Sequence, residues 1–257
     1  MDHLRVLLPP SEGKAPGGDG PVYDAALGGF AGLVGAREKV RKALRRKDFD
    51  AAMQLGVKGK ALEVALAANA AIARCPTMPA LRRYTGVLYD ALDYRGCSPQ
   101  VQARLDDEVV IVSGLLGIVR GGDLVPDYKA PMGASLPGVG RLGAFWKSYI
   151  AKAWRHDLAD AVVWDLLPGI HATAAPVGTT AAHWKVRVLR QVGDRLTTVS
   201  HENKTVKGAL AQLIVTERVE HPAMLTDWLG PGGYRIRFGA DVPAGTVDLV
   251  AGADERR

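Results

Sequence analysis

Three short polar clusters carry the residue types that could do chemistry. Ser11, Glu12 and Lys14 place a hydroxyl, a carboxylate and an ammonium directly after the apolar run LRVLL at residues 4–8. Ser113, Arg120, Asp123, Tyr128 and Lys129 follow the β-branched run VVIV at residues 109–112. Ser200, His201, Glu202, Lys204 and Lys207 follow a third extended stretch that begins at Leu196. Hydroxyl, carboxylate and cation together suit charge-assisted binding of a phosphate or other small anion, or proton transfer between neighbours. If the three runs are strands of one sheet sharing a carboxyl edge, the clusters converge on one crevice. A surface turn with solvated charges accounts for any one cluster taken alone.

Other chemistries fit the sequence less well. The segment PPSEGK is not a phosphate-binding P-loop, because it lacks that spacing and a flexible stretch at residues 15–21 follows it. His3, His156, His171, His183, His201 and His221 show no paired ligand spacing, so no metal site is expected. Cys75 and Cys97 are too few for a disulfide framework. No G-x-S-x-G elbow supports a serine nucleophile, and no cofactor motif is present.

The elements that must position these clusters follow from periodicity. Residues 4–8, 109–112 and 161–166 read as buried strands, since continuous apolar runs suit a sheet covered on both faces. Residues 183–192 alternate as a half-exposed strand and turn at residues 192–195 into another, and residues 234–238 and 246–250 supply two more. A helix is expected over residues 30–47, with Leu33, Val40 and Leu44 on one face and Arg37 among the solvated basic residues of the rest. Ser98 caps a helix with Pro99 at its first position. Another helix is expected from about Arg141 to His156, and one after Lys204 carries Val206, Leu210 and Ile214. Lys204 and Lys207 then lie near its start, where cations oppose the helix dipole unless an anion docks there.

Residues 51–69, AAMQLGVKGKALEVALAAN, read as two helices around a glycine turn. They resemble the helix-hairpin-helix module, in which Gly56, Lys58, Gly59 and Lys60 would offer backbone N–H groups and ammonium groups to a DNA phosphate without reading bases. A plain αα-hairpin has the same pattern.

The 257 residues are 47% hydrophobic, enough for one large core or a core with a small insert. The formal net charge of +6 favours an acidic partner. No stretch reaches transmembrane length and the amino terminus lacks a signal-peptide pattern, so a cytoplasmic location without membrane contact is expected.

Five blocks resemble the YaaA family of bacterial peroxide-stress-resistance proteins: LLPPSEGK at 7–14, YTGVLYDAL at 84–92, SGLLGIVRGGDLVPDYKAPMG at 113–133, FW at 145–146 and SHENKTVKG at 200–208. The resemblance implies a mixed α/β fold forming one domain over residues 1–257. It would have a central mixed sheet, surrounding helices and a basic helical-hairpin subregion at 30–75. It also implies a positively charged cleft, DNA binding, and a role in limiting iron-driven oxidative damage. The three polar clusters leave a second expectation open, an enzyme acting on a nucleotide, nucleobase or other small anion.

Overall fold

The computed structural model describes residues 3–252 except His156, Asp194, residues 199–202 and Asp241. The expected cluster residues Ser200, His201 and Glu202 therefore lie outside the described residues.

The architecture is mixed α/β, organised by a nine-stranded sheet. In chain order its strands are β1 (His3–Leu8), β2 (Val109–Ser113), β3 (Gly117–Arg120), β4 (Ala161–Asp165), β5 (Ala182–Val192), β6 (Arg195–Thr198), β7 (Leu229–Gly230), β8 (Tyr234–Arg237) and β9 (Thr246–Ala251). The spatial order is β7-β8-β9-β5-β4-β1-β2-β3, with β6 paired to β5. Strands β9, β5, β4, β1 and β2 run parallel, in a register that sets Val6 beside both Val109 and Trp164. Strands β3, β6, β7 and β8 are antiparallel to their neighbours. Every residue of β2 and β4 is buried, as strands covered on both faces require.

The helices are α1 (Val34–Ala43), α2 (Ala51–Leu55), α3 (Gly59–Ala71), α4 (Ala80–Arg83), α5 (Val87–Leu92), α6 (Pro99–Glu108), α7 (Leu142–Ala153), α8 (Gly169–Ala174) and α9 (Asn203–Glu217). Helices α6 and α9 pack on each other and on β1, α5 packs along α9, and α7 packs with α8 and β3. The expected cap of α6 is present, with the Ser98 hydroxyl accepting from the Val101 amide at 3.4 Å. The same buried cluster contains Trp146, Trp154 and Trp164, each with its indole N–H on a backbone carbonyl.

The helix expected over residues 30–47 is shorter, because Phe30 adopts a left-handed φ of 62° and a 3₁₀ turn at Ala31–Leu33 precedes α1. Arg37 is not a solvated cation as expected. Its side chain is buried and donates to the carbonyls of Ala25, Gly28, Gly29, Leu116 and Ile118 at 2.7–3.1 Å. One guanidinium fork thus satisfies backbone acceptors from two segments far apart in the chain.

Candidate functional site

The carboxyl edge of the parallel strands carries the site. After β1, two prolines stop the strand and the chain turns along the segment before α5. The Ala15 amide donates to the Arg83 carbonyl at 2.8 Å, and the Thr85 amide to the Gly13 carbonyl at 3.2 Å. These two bonds hold Lys14 beside Tyr84. The buried Arg83 guanidinium fixes the same junction by donating to the carbonyls of Ala15, Pro76 and Val125.

The end of β2 sets the second wall. A Cβ at Gly114 would stand 2.1 Å from the Ala130 carbonyl oxygen, so glycine alone lets residues 128–130 cross the strand end this closely. The Trp146 indole N–H donates to the Gly114 carbonyl at 2.8 Å and locks the crossing from beneath. Asn69 of α3 completes it from the side, accepting from the Lys129 amide and donating to the Lys129 carbonyl, both at 2.9 Å.

At the centre Ser113 Oγ, Tyr128 OH and Tyr84 OH form a buried chain, 2.6 Å and 2.7 Å apart. Burial pushes the Tyr84 phenol up to about 12 and raises the Tyr128 phenol well above its ordinary value, so both remain neutral donors at neutral pH. The Lys14 ammonium sits over this chain, 4.2 Å from the centre of the Tyr128 ring and 5.5 Å from that of Tyr84. It donates to the carbonyls of Ser11 at 3.2 Å and Glu12 at 3.4 Å. Burial lowers its pKa to about 8, and the nearby Asp127 carboxylate opposes that shift without cancelling it. Glu12 reaches past it to Lys129, with 2.7 Å between Oε2 and Nζ.

Three cavities meet around Glu12. The largest, about 510 Å³, has one wall from α3 (Lys60, Ala61, Val64, Ala65 and Ala68, with Val57 before it) and the other from Glu12, Lys14 and residues 127–129. A second, about 240 Å³, runs from Ser11 and Lys14 to Met132 and His171. Burial lowers the His171 imidazole to about 4. A third, about 380 Å³, lies between residues 9–13, residues 85–89 and Lys204.

The expected clusters therefore meet only in part. Ser11, Glu12, Lys14, Tyr128 and Lys129 line this crevice, Ser113 lies buried beneath Tyr128, and Lys204 borders the third cavity. Lys207 is buried and donates to the Leu166 carbonyl at 2.8 Å. Burial lowers its pKa to about 8 against the opposing Asp165 carboxylate. Arg120 and Asp123 are elsewhere. Strand β3 is antiparallel, so Arg120 pairs with Val110 at the start of β2 while Gly117 pairs with Ser113 at its end. Arg120 joins Asp107 and Asp157 there, together with Arg5. Asp123 caps the turn by accepting from the Gly29 and Arg120 amides, both at 2.8 Å. Convergence of Lys14, Arg120 and Lys204 on one pocket does not occur.

Residues 51–71 form two helices joined by a glycine turn as expected, with Gly56 at φ 66° and Gly59 at φ 52°. Nothing lies within 4 Å of where a Cβ would stand on either glycine, so the turn's backbone is open. Gly56, Lys58, Gly59 and Lys60 are all exposed. Tyr84 and His171 belong to the site but were not among the expected residues. The sequence signal for Tyr84 was the block YTGVLYDAL; for His171 no local motif exists.

A model of the family described as peroxide stress protein YaaA matches residues 4–238. The chain belongs to the YaaA family. Its relatives include a UPF0246 protein of Streptomyces coelicolor, 36% identical over 248 residues and covering 94% of each chain. A UPF0246 protein of Corynebacterium efficiens is 37% identical, with 83% of this chain and 85% of the relative covered. One from Corynebacterium glutamicum is 34% identical over 86% of this chain and 89% of its own. The YaaA peroxide-stress description thus applies to the fold that carries this crevice. Among the described residues no helix is long and apolar enough to cross a membrane, and no group of three or more His, Cys, Asp or Glu is placed to hold a metal ion.

Proposed function

We propose that this YaaA-family protein binds DNA through its backbone phosphates in the crevice between α3 and the loop after β1, and thereby limits iron-driven oxidative damage. The observation that carries this reading is the pairing of walls in the largest cavity. Lys60 stands on α3, while the facing wall carries Lys14 and Lys129 together with the carboxylates of Glu12 and Asp127, so the exposed lysines at the start of α3 are the phosphate contacts in this reading. Beside them the open glycine turn, with exposed Lys58, gives α3 an N-terminus whose amides a phosphate can approach. The same arrangement supports the helix-hairpin-helix reading of residues 51–69. The net charge of +6 favours encounter with a polyanion.

Contacts of this type carry no base readout, so affinity depends steeply on salt and weakly on sequence. The test is duplex DNA binding across a salt series for the wild type, Lys58→Ala and Lys60→Ala. Each variant is expected to lower the slope of log affinity against log salt by about 1. Wild-type binding that is absent at low salt, or insensitive to salt, overturns the reading.

A further inference from the structure

Phosphate binding leaves one group in the crevice unexplained. Lys129 is neutralised by Glu12, and Lys60 is exposed on its helix, as a phosphate-contacting cation should be. Lys14 is different. It is largely withdrawn from solvent over two tyrosine rings, and its hydrogen bonds go to backbone carbonyls. Among the described residues no carboxylate lies within ion-pair distance of it. A lysine meant only to hold a phosphate gains by being charged and solvated. The ring faces and carbonyls favour the ammonium, but withdrawal from solvent and the nearby Lys129 and Arg83 cations oppose it, so this amine gives up its proton and becomes nucleophilic more readily than a surface lysine.

The Lys14 amine also borders both the largest cavity and the one leading to His171. An electrophile arriving on a strand held by the α3 turn and Lys60 would meet it at the wall opposite α3. We propose that Lys14 forms an imine with the ring-opened C1′ aldehyde of an abasic deoxyribose in DNA. This inference rests on the DNA-binding reading above. The lysine nitrogen bonds to C1′, the C1′–oxygen double bond breaks, and the oxygen leaves as water with both hydrogens of the neutral amine. Hydrolysis reverses the step and needs no oxidant or reductant. Loss of the base provides the aldehyde, and oxidative attack on DNA generates such sites, in keeping with the family's peroxide-stress description. The Ser113–Tyr128–Tyr84 chain holds the Tyr128 ring in place beneath the amine.

The test is reductive trapping. The protein is incubated with a duplex containing one abasic site and with sodium cyanoborohydride, and the covalent product is mapped by peptide mass spectrometry. An intact duplex and pyridoxal 5′-phosphate serve as parallel probes, and binding of the abasic duplex is measured without reductant. The expected result is a covalent adduct on Lys14 with the abasic duplex and none with the intact duplex. The adduct should be lost in Lys14→Arg, whose thermal melting establishes that it folds. Binding of the abasic duplex without an adduct overturns the imine while leaving the DNA-binding reading intact. An adduct that maps to another lysine, or one formed with pyridoxal 5′-phosphate but not with DNA, also overturns it. Absence of both binding and adduct overturns both readings.

Discussion

The Lys14 ammonium nitrogen stands 4.2 Å from the centre of the Tyr128 ring. That ring is itself held by hydrogen bonds from its hydroxyl to Ser113 and Tyr84. Tyr128→Phe keeps the ring beneath the amine but removes the middle of a buried hydroxyl chain. Tyr84 OH and Ser113 Oγ then each lose a partner, although Ser113 still accepts from the Leu116 amide at 3.1 Å. Denaturant unfolding should show a loss of about 1–3 kcal/mol for Tyr128→Phe. Tyr128→Leu should lose more, because the ring and its cation–π contact go as well.

Burial of two amines shapes the alkaline stability profile. Lys14 and Lys207 both have their pKa lowered to about 8 in the folded protein, against 10.5 for an unperturbed lysine. Between those values the unfolded chain holds protons that the folded chain has released, so stability rises with pH. Each lysine contributes up to about 1.4 kcal/mol per pH unit while it is differentially protonated. The rise ends near pH 10, where unfolded tyrosines ionise while buried Tyr84, Tyr89 and Tyr128 hold their protons. Lys207→Met should flatten the increase between about pH 8 and 10, measured by urea unfolding at a series of pH values. An unchanged slope would show that the buried Lys207 amine does not titrate in this range.

On the acid side His171 is the one histidine among the described residues with a resolved shift. Its imidazole is lowered to about 4, so between about pH 6.5 and 4 the unfolded chain binds a proton that the folded chain refuses. Stability should fall as pH drops through this window, and His171→Gln should remove part of that fall in the same unfolding measurements.

Arg120 tests the corrected geometry. Its side chain pairs with Asp107 and Asp157 at the amino edge of the parallel strands. Three residues of strand, about 10 Å, separate that edge from Ser113. Arg120→Ala should leave DNA binding and its salt slope unchanged. It should lower stability by about 1 kcal/mol, since Asp157 retains Arg5 at 3.1 Å. A weakened DNA affinity would place Arg120 in the binding surface after all.

The Arg120 error shows where the sequence stops informing. Run composition located the buried strands β1, β2 and β4, because continuous apolar stretches need no partner information to be recognised. The glycines after Ser113 read as tight turns, but nothing local said that residues 117–120 would double back as an antiparallel strand. That reversal carries Arg120 to the far edge. Arg37 failed for a related reason. Its helix places it among basic residues, and only the fold brings carbonyls from residues 25–29 and 116–118 to its guanidinium. The hairpin at residues 51–71 was legible because its glycine spacing and helical runs are local. Its place opposite Lys14 was not, since the Asn69 side chain anchors α3 to a segment sixty residues away.

The crossing of α9 over α5 couples the fold to the crevice through Gly208. A Cβ on this residue would lie 2.1 Å from the Leu88 carbonyl oxygen and 2.9 Å from the Ala91 Cβ. Both obstacles are the backbone or first side-chain carbon of α5, so neither can swing away as a flexible chain end would. Gly208→Ala must therefore push the two helices apart. Overpacking of this kind costs about 1–3 kcal/mol, only partly repaid by the better helix propensity of alanine. Helix α9 also carries Lys204 to the third cavity and Lys207 to the Leu166 carbonyl, and α5 holds the loop after β1 through the Tyr89 hydroxyl on the Pro9 carbonyl at 2.8 Å. Separation of the helices should thus loosen the loop that presents Lys14. Hydrogen exchange should show faster opening of the α5 and α9 amides in Gly208→Ala than in the wild type, together with a lowered melting temperature. Unchanged protection in both helices would mean that the crossing relaxes without cost and that the glycine is not required there.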